Sequence, residues 1–122
     1  ADAGAQGPTQ AHADGAVALV GRYLDAWNAR DFAACAALAN YPLVQVLPGD
    51  VRRFDDAAQF AAQLARANWQ RVVSRDIKAI QAAPTAVNLA IEMQLERPEQ
   101  AVFIVTERDG HWGIQGRSII EH

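Results

Sequence analysis

Val17-Ala-Leu-Val-Gly-Arg-Tyr-Leu-Asp-Ala-Trp-Asn-Ala-Arg-Asp-Phe32 is the stretch from which the fold is read. Val17, Val20, Leu24 and Trp27 recur every three or four residues, with Tyr23 beside them. That spacing belongs to a helix with one buried stripe. Asp14 is the expected N-cap, and Arg22 and Asp25 flank the stripe toward solvent. Asn28-Ala-Arg-Asp31 breaks the period. Asp31 then suits the cap of a short second helix that buries Phe32, Cys35 and Leu38.

Upstream, residues 1–13 have no period and are rich in Ala, Gly, Gln and Pro. They are expected to form a disordered or loosely packed arm with His12 solvated. Residues 14–122 are expected to form a single domain. Downstream, Asn40-Tyr41-Pro42 ends the second helix, because the residue before a proline disfavours the α region. Leu43-Val-Gln-Val-Leu47 is a short strand closed by Pro48-Gly49-Asp50. Period two puts Leu43, Gln45 and Leu47 on one face and Val44 and Val46 on the other. Arg52-Arg53-Phe54 reads as extended or loop. Asp55-Asp56 caps a third helix that carries Phe60 and Leu64 and ends near Trp69.

Beyond Trp69 the period changes to two, giving four long strands over 71–82, 85–96, 100–108 and 112–120. Asp109-Gly110-His111 is a hairpin signal. In the second of these strands Val87, Leu89, Ile91, Met93 and Leu95 share one face and polar residues the other, the pattern of an antiparallel sheet with one covered face. Helices first and strands after is an α+β signature. The expected architecture is a curved antiparallel sheet wrapped around three N-terminal helices, leaving a conical pocket.

Composition narrows the partners. The net charge of −3 comes without any dense Lys/Arg cluster, which argues against nucleic acid. Apolar runs fall far short of the roughly 20 residues of a membrane span. Cys35 is the one cysteine and reads as a buried thiol. No motif calls for a cofactor, and no set of His, Cys or carboxylate residues falls on one face to bind a metal. Cytoplasm is the simpler location.

The order helix, helix, short strand, helix, four strands resembles the nuclear transport factor 2-like superfamily. Arg22-Tyr-Leu-Asp-Ala-Trp-Asn-Ala-Arg-Asp31, Pro48 after the first strand and Asp109-Gly-His-Trp112 before the last carry the resemblance, over about residues 15–120. The superfamily includes ketosteroid isomerases, polyketide cyclases and scytalone dehydratase. Among ketosteroid isomerases the resemblance implies a Tyr oxyanion donor on the first helix, a basic Asp at the first strand and a protonated Asp on a later strand. Tyr23 matches the first. Leu47, or Val46 with a one-residue shift, stands at the base, and Ile104 or Val105 at the second acid. None of these four can carry a proton. A dehydratase would need paired pocket histidines, and His12, His111 and His122 do not lie on inward strand faces.

The resemblance therefore implies a homodimeric protein that binds a hydrophobic small molecule in an apolar pocket. Tyr23 is the candidate catalytic group of an isomerase- or cyclase-like enzyme without the usual carboxylate base. Candidate ligand contacts are Trp27, Tyr41, Gln45, Leu47, Phe60, Trp69, Met93, Gln115 and Arg117. Gln115 and Arg117 are read as sharing one face of the last strand, opposite Trp112 and Ile114. The alternative is a non-catalytic interaction module that uses the sheet face, in which case reversing the charge of Arg117 would disrupt association. If Tyr23 only orients a ligand, Tyr23→Phe would leave the melting temperature nearly unchanged.

Overall fold

The computed structural model describes the backbone of residues 2–121 and the side chains of residues 9–119. Three helices, α1 (Asp2–Asn28), α2 (Phe32–Ala37) and α3 (Ala57–Arg66), pack on one curved six-stranded sheet. The strands are β1 (Ala39–Leu47), β2 (Asp50–Phe54), β3 (Ser74–Ala83), β4 (Ala86–Gln94), β5 (Pro98–Arg108) and β6 (His111–Glu121), in the order β2-β1-β6-β5-β4-β3. The α+β class is as expected. The sheet is antiparallel except where β1 runs parallel to β6, a pairing that the run of hairpin signals did not reveal.

Helix α1 begins well before Asp14. Asp14 lies inside it, accepting from Gln10 Nε2 at 2.9 Å, and does not cap it. The expected loose arm is therefore helical from Asp2, and Ala13 is buried with Ala16 against the core. Alanine is the strongest helix former and slips its small side chain under a sheet at little entropic cost. His12, expected in solvent, lies with its ring centroid 5.0 Å from that of Trp112. His122 lies outside the described residues.

The caps read from sequence operate at α2 and α3. Asp31 Oδ1 accepts from Ala34 N at 3.1 Å, and Asp56 Oδ1 from Gln59 N at 2.8 Å. Helix α2 is shorter than expected, and Asn40-Tyr41-Pro42 already belongs to β1. Arg52-Arg53-Phe54 is part of the edge strand β2. Strand β3 starts at Ser74 because Val72 is held elsewhere: the Asn28 amide donates to Val72 O and accepts from Val72 N at 3.0 and 2.8 Å. One side chain at the end of α1 thus pairs with the backbone of the connecting segment as a strand would. Two indoles reinforce it. Trp27 Nε1 donates to Gln70 O and Trp69 Nε1 to Trp27 O, while Arg30 caps the Trp69 ring at 4.0 Å.

The inner face of the sheet carries Leu43, Val87, Leu89, Ile91, Phe103, Val105 and Ile114, all buried against Leu19, Val20, Tyr23 and Leu24 of α1 and Phe60 and Leu64 of α3. The β5–β6 hairpin turns through Asp109 and Gly110, both at positive φ, as a two-residue turn with Arg108 opposite His111.

Gly113 makes the closest approach in the fold. A Cβ there would lie 2.7 Å from the Ala39 carbonyl carbon and 2.8 Å from Asn40 N. Both are backbone atoms of the strand that must pair with β6, so neither can swing away. Gly113→Ala is expected to cost at least the usual 1–3 kcal/mol of overpacking, roughly. Denaturant melts should show a lowered midpoint with little change in slope.

Candidate functional site

The site is created by one extra residue in β6. Ile104 pairs with Gly116, but Val105 pairs with Ile114, so Gln115 has no partner and bulges. A bulge of this kind inverts the alternation of faces beyond it. Ile114 points inward, and so does Arg117, three residues on. The expectation that Gln115 and Arg117 share a face is thus corrected. Gln115 binds on the outer side, accepting from Thr106 Oγ1 at 2.6 Å and donating to Pro42 O at 3.2 Å. Arg117 is 7% exposed, enclosed by α1 and α3.

The Arg117 guanidinium donates from Nη1 to Tyr23 Oη at 2.6 Å and lies over the Phe60 ring, 4.9 Å from its centroid. Its Nε is buried without a hydrogen-bond partner, the one such side-chain atom among the described residues. Tyr23 is 2% exposed, stacked at 6.5 Å on Phe60 and edge-on to Phe103 at 5.8 Å. Burial pushes its phenol up to about 12, although the Arg117 charge pulls the other way. The group is therefore a neutral phenol at ordinary pH. Its oxygen accepts from a cation, which leaves its own O–H polarised as a donor.

A cavity of about 90 Å³ opens beside this pair. Tyr23, Leu24, Trp27, Val72, Met93, Leu95, Glu99, Phe103, Arg117 and Ile119 line it. Among the sequence candidates, Tyr23, Trp27, Met93 and Arg117 meet there. Gln45 is buried on the same sheet face and is the register partner of Arg117, but it does not line the cavity. Phe60 supports the pair from behind. Tyr41 donates its hydroxyl to Ala36 O at 2.8 Å, and burial pushes it up to about 12. Trp69 packs on Trp27, and Leu47 lies at the far end of β1. Val72, Glu99 and Phe103 were not singled out as contacts. The alternation of Ala101, Phe103 and Val105 carried the signal for Phe103; nothing local marks Val72, whose position depends on Asn28.

At the places where an isomerase keeps its acids, Leu47 ends β1, Val105 is buried apolar core, and Val46 and Ile104 point outward. Among the described residues, Glu99 is the one carboxylate on the cavity wall. Among the described residues no three His, Cys, Asp or Glu side chains gather to hold a metal ion. No helix among the described residues is long and apolar enough to cross a membrane. The arrangement can stabilise a negative oxygen by a polarised phenol and a guanidinium in a dry setting, the physics of an oxyanion hole.

A six-stranded curved sheet packed on three helices, with a buried polar pair between them, defines an α+β class. Solved structures place the chain within that class. It has the fold of the nuclear transport factor 2-like proteins. A protein of unknown function with this fold from Silicibacter pomeroyi superposes with a TM-score of 0.67 at 16% identity, covering 93% of this chain and 98% of that one. A cystatin-like domain of unknown function from Nostoc punctiforme gives 0.69 at 16% identity, covering 89% and 76%. A protein from Kribbella flavida taken to be a ketosteroid isomerase gives 0.57 at 16% identity, covering 87% and 76%. No protein-family model matches the sequence. No curated protein matches it either.

Tyr23→Phe removes the acceptor of a buried guanidinium, so the expectation of an unchanged melting temperature no longer holds. The substitution should cost about 1–3 kcal/mol and lower the melting temperature by several degrees. Both tyrosines titrate near 12 in the folded chain, against about 10 when unfolded. Raised folded values mean that their contribution is fully present below about pH 10 and is lost as pH climbs toward 12. Tyrosinate absorbance should therefore appear together with loss of the far-UV circular dichroism signal, not before it.

Proposed function

We propose that this chain is a small-molecule-binding protein whose ligand enters the cavity beside α1 and places a polar oxygen against the Tyr23 hydroxyl. The observation that carries the reading is the Tyr23–Arg117 pair: a neutral phenol polarised by a buried cation, facing a space lined chiefly by apolar side chains. Binding sites combine an apolar wall with a few convergent polar groups in this way. The likeness to the isomerase from Kribbella flavida supports the fold of such a site. Carboxylate-driven isomerisation is disfavoured, because the two acid positions are apolar. A cyclase- or isomerase-like step here would use Tyr23 to hold an enolate-like oxygen, with the proton leaving to water or to the substrate itself.

A thermal-shift screen of small organic compounds, followed by tryptophan fluorescence of the native chain and of Trp27→Phe, tests the reading. At least one compound should raise the melting temperature saturably and perturb the indole. Val72→Phe fills the cavity and should abolish that response while keeping the fold. An unchanged response in Val72→Phe would put the ligand elsewhere, and a silent screen would end the proposal.

A second reading, a homodimer through the outer sheet face, rests on a separate observation. Val44, Gly116 and Ile104 form one row across β1, β6 and β5, and Val46, Ser118 and Val102 the next. Aliphatic ridges, each more than a third exposed, flank a trough floored by a glycine and a serine. Such a face is self-complementary under a two-fold axis. Arg117 lies on the other side of the sheet, so charge reversal there does not probe association. Val102→Lys does: sedimentation should report a dimer for the native chain and a monomer for the variant. A monomeric native chain would refute this reading and leave the cavity untouched.

A further inference from the structure

Taking the cavity as a small-molecule site, we propose that its occupant is a short-chain carboxylic acid, held by its carboxylate against the Arg117 guanidinium and the Tyr23 hydroxyl. Arg117 is nine-tenths buried, always charged, and has an Nε with no partner among the described residues. Nη1 is taken by Tyr23. What remains is the Nε–Nη2 edge, which matches the two oxygens of a carboxylate once a small side-chain rotation opens the buried Nε to the cavity. The Phe60 face beneath the guanidinium softens the burial of the charge but does not neutralise it. A buried cation with an orphaned donor is costly in the empty protein, and a carboxylate removes that cost. Tyr23, accepting from Nη1, has its own proton to give, so the anion would receive three donors.

The wall fixes the rest of the ligand. Leu24, Val72, Met93 and Phe103 offer only apolar contact, which suits a hydrocarbon tail. About 90 Å³ is smaller than the cavity of roughly 150 Å³ that holds benzene, so only a short tail is enclosed and a ligand the size of butyrate extends to the cavity mouth. A steroid-sized ligand does not fit. The other charged residue on the wall is Glu99, which would attract a cationic head group. The unsatisfied donor sits on Arg117, and that asymmetry selects the anion.

The probes are butyrate and its neutral isostere butyramide, titrated into the whole chain at constant ionic strength with tryptophan fluorescence and calorimetry as readouts. Butyrate should bind about tenfold or more tightly than butyramide. Arg117→Gln should lose the preference. Should Arg117→Gln fail to fold, Glu99→Gln serves instead: removing the negative charge beside the site should tighten butyrate several-fold and leave butyramide unchanged. Equal binding of the two probes overturns the proposal while leaving the cavity as a small-molecule site. Failure of both probes overturns it as well, and the neutral-compound screen then decides separately whether the cavity binds anything. A Glu99→Gln variant with unaltered butyrate affinity also counts against it.

Discussion

One unpaired residue decides what this protein has inside it. Were β6 regular, Ile114, Gly116 and Ser118 would share the inner face, and Arg117 would stand in solvent beside Gln115. The bulge at Gln115 shifts the phase of the strand by one and exchanges a glycine and a serine for a guanidinium and an isoleucine. The buried charge of the interior and its partners follow. Arg117 needs an acceptor, Tyr23 of α1 provides one, and Phe60 of α3 supplies a ring face below. The bulge is itself held from outside, by Gln115 bridging Thr106 and the Pro42 carbonyl. Surface hydrogen bonds on one side of the sheet thereby maintain a charge on the other.

The interior pair also explains why the tyrosine is more than a wall residue. An arginine placed among apolar side chains is tolerable only with good partners. Tyr23 fulfils a structural duty and a chemical one with the same oxygen: it accepts from the cation and is polarised by it. Structure and site cannot be separated at this position, so a substitution aimed at one disturbs the other. Val72 and Met93 are freer in that respect, because their removal leaves no charge stranded.

Much of the fold was legible because it rests on local rules. Helical spacing gave α1 its buried face, Asp31 and Asp56 announced their helices, and Asp109-Gly110 announced its turn. The alternation of Val87 to Leu95 gave the covered face of the sheet. What escaped was set by distant partners. The parallel pairing of β1 with β6 depends on packing between strands far apart in sequence. Helix α1 runs through a stretch whose composition looked like that of a loose arm, and Ala13 of that stretch is buried. Arg117 was legible as a polar residue on a strand, but its direction was not, since nothing in Gly113-Ile-Gln-Gly-Arg117 announces a bulge on its own. Glu99 shares the inward face of Ala101, Phe103 and Val105, but it lies one residue before the strand expected from Gln100 and so was passed over.

The Tyr23–Arg117 hydrogen bond joins residues 94 positions apart. Loops of that span close late, and folds dominated by such contacts acquire them slowly. Helix α1 therefore waits for its electrostatic partner through the formation of almost every other element. The strand that closes the sheet against β1 is also the one that brings a cation under the first helix. Chain topology and interior polarity thus depend on the same element.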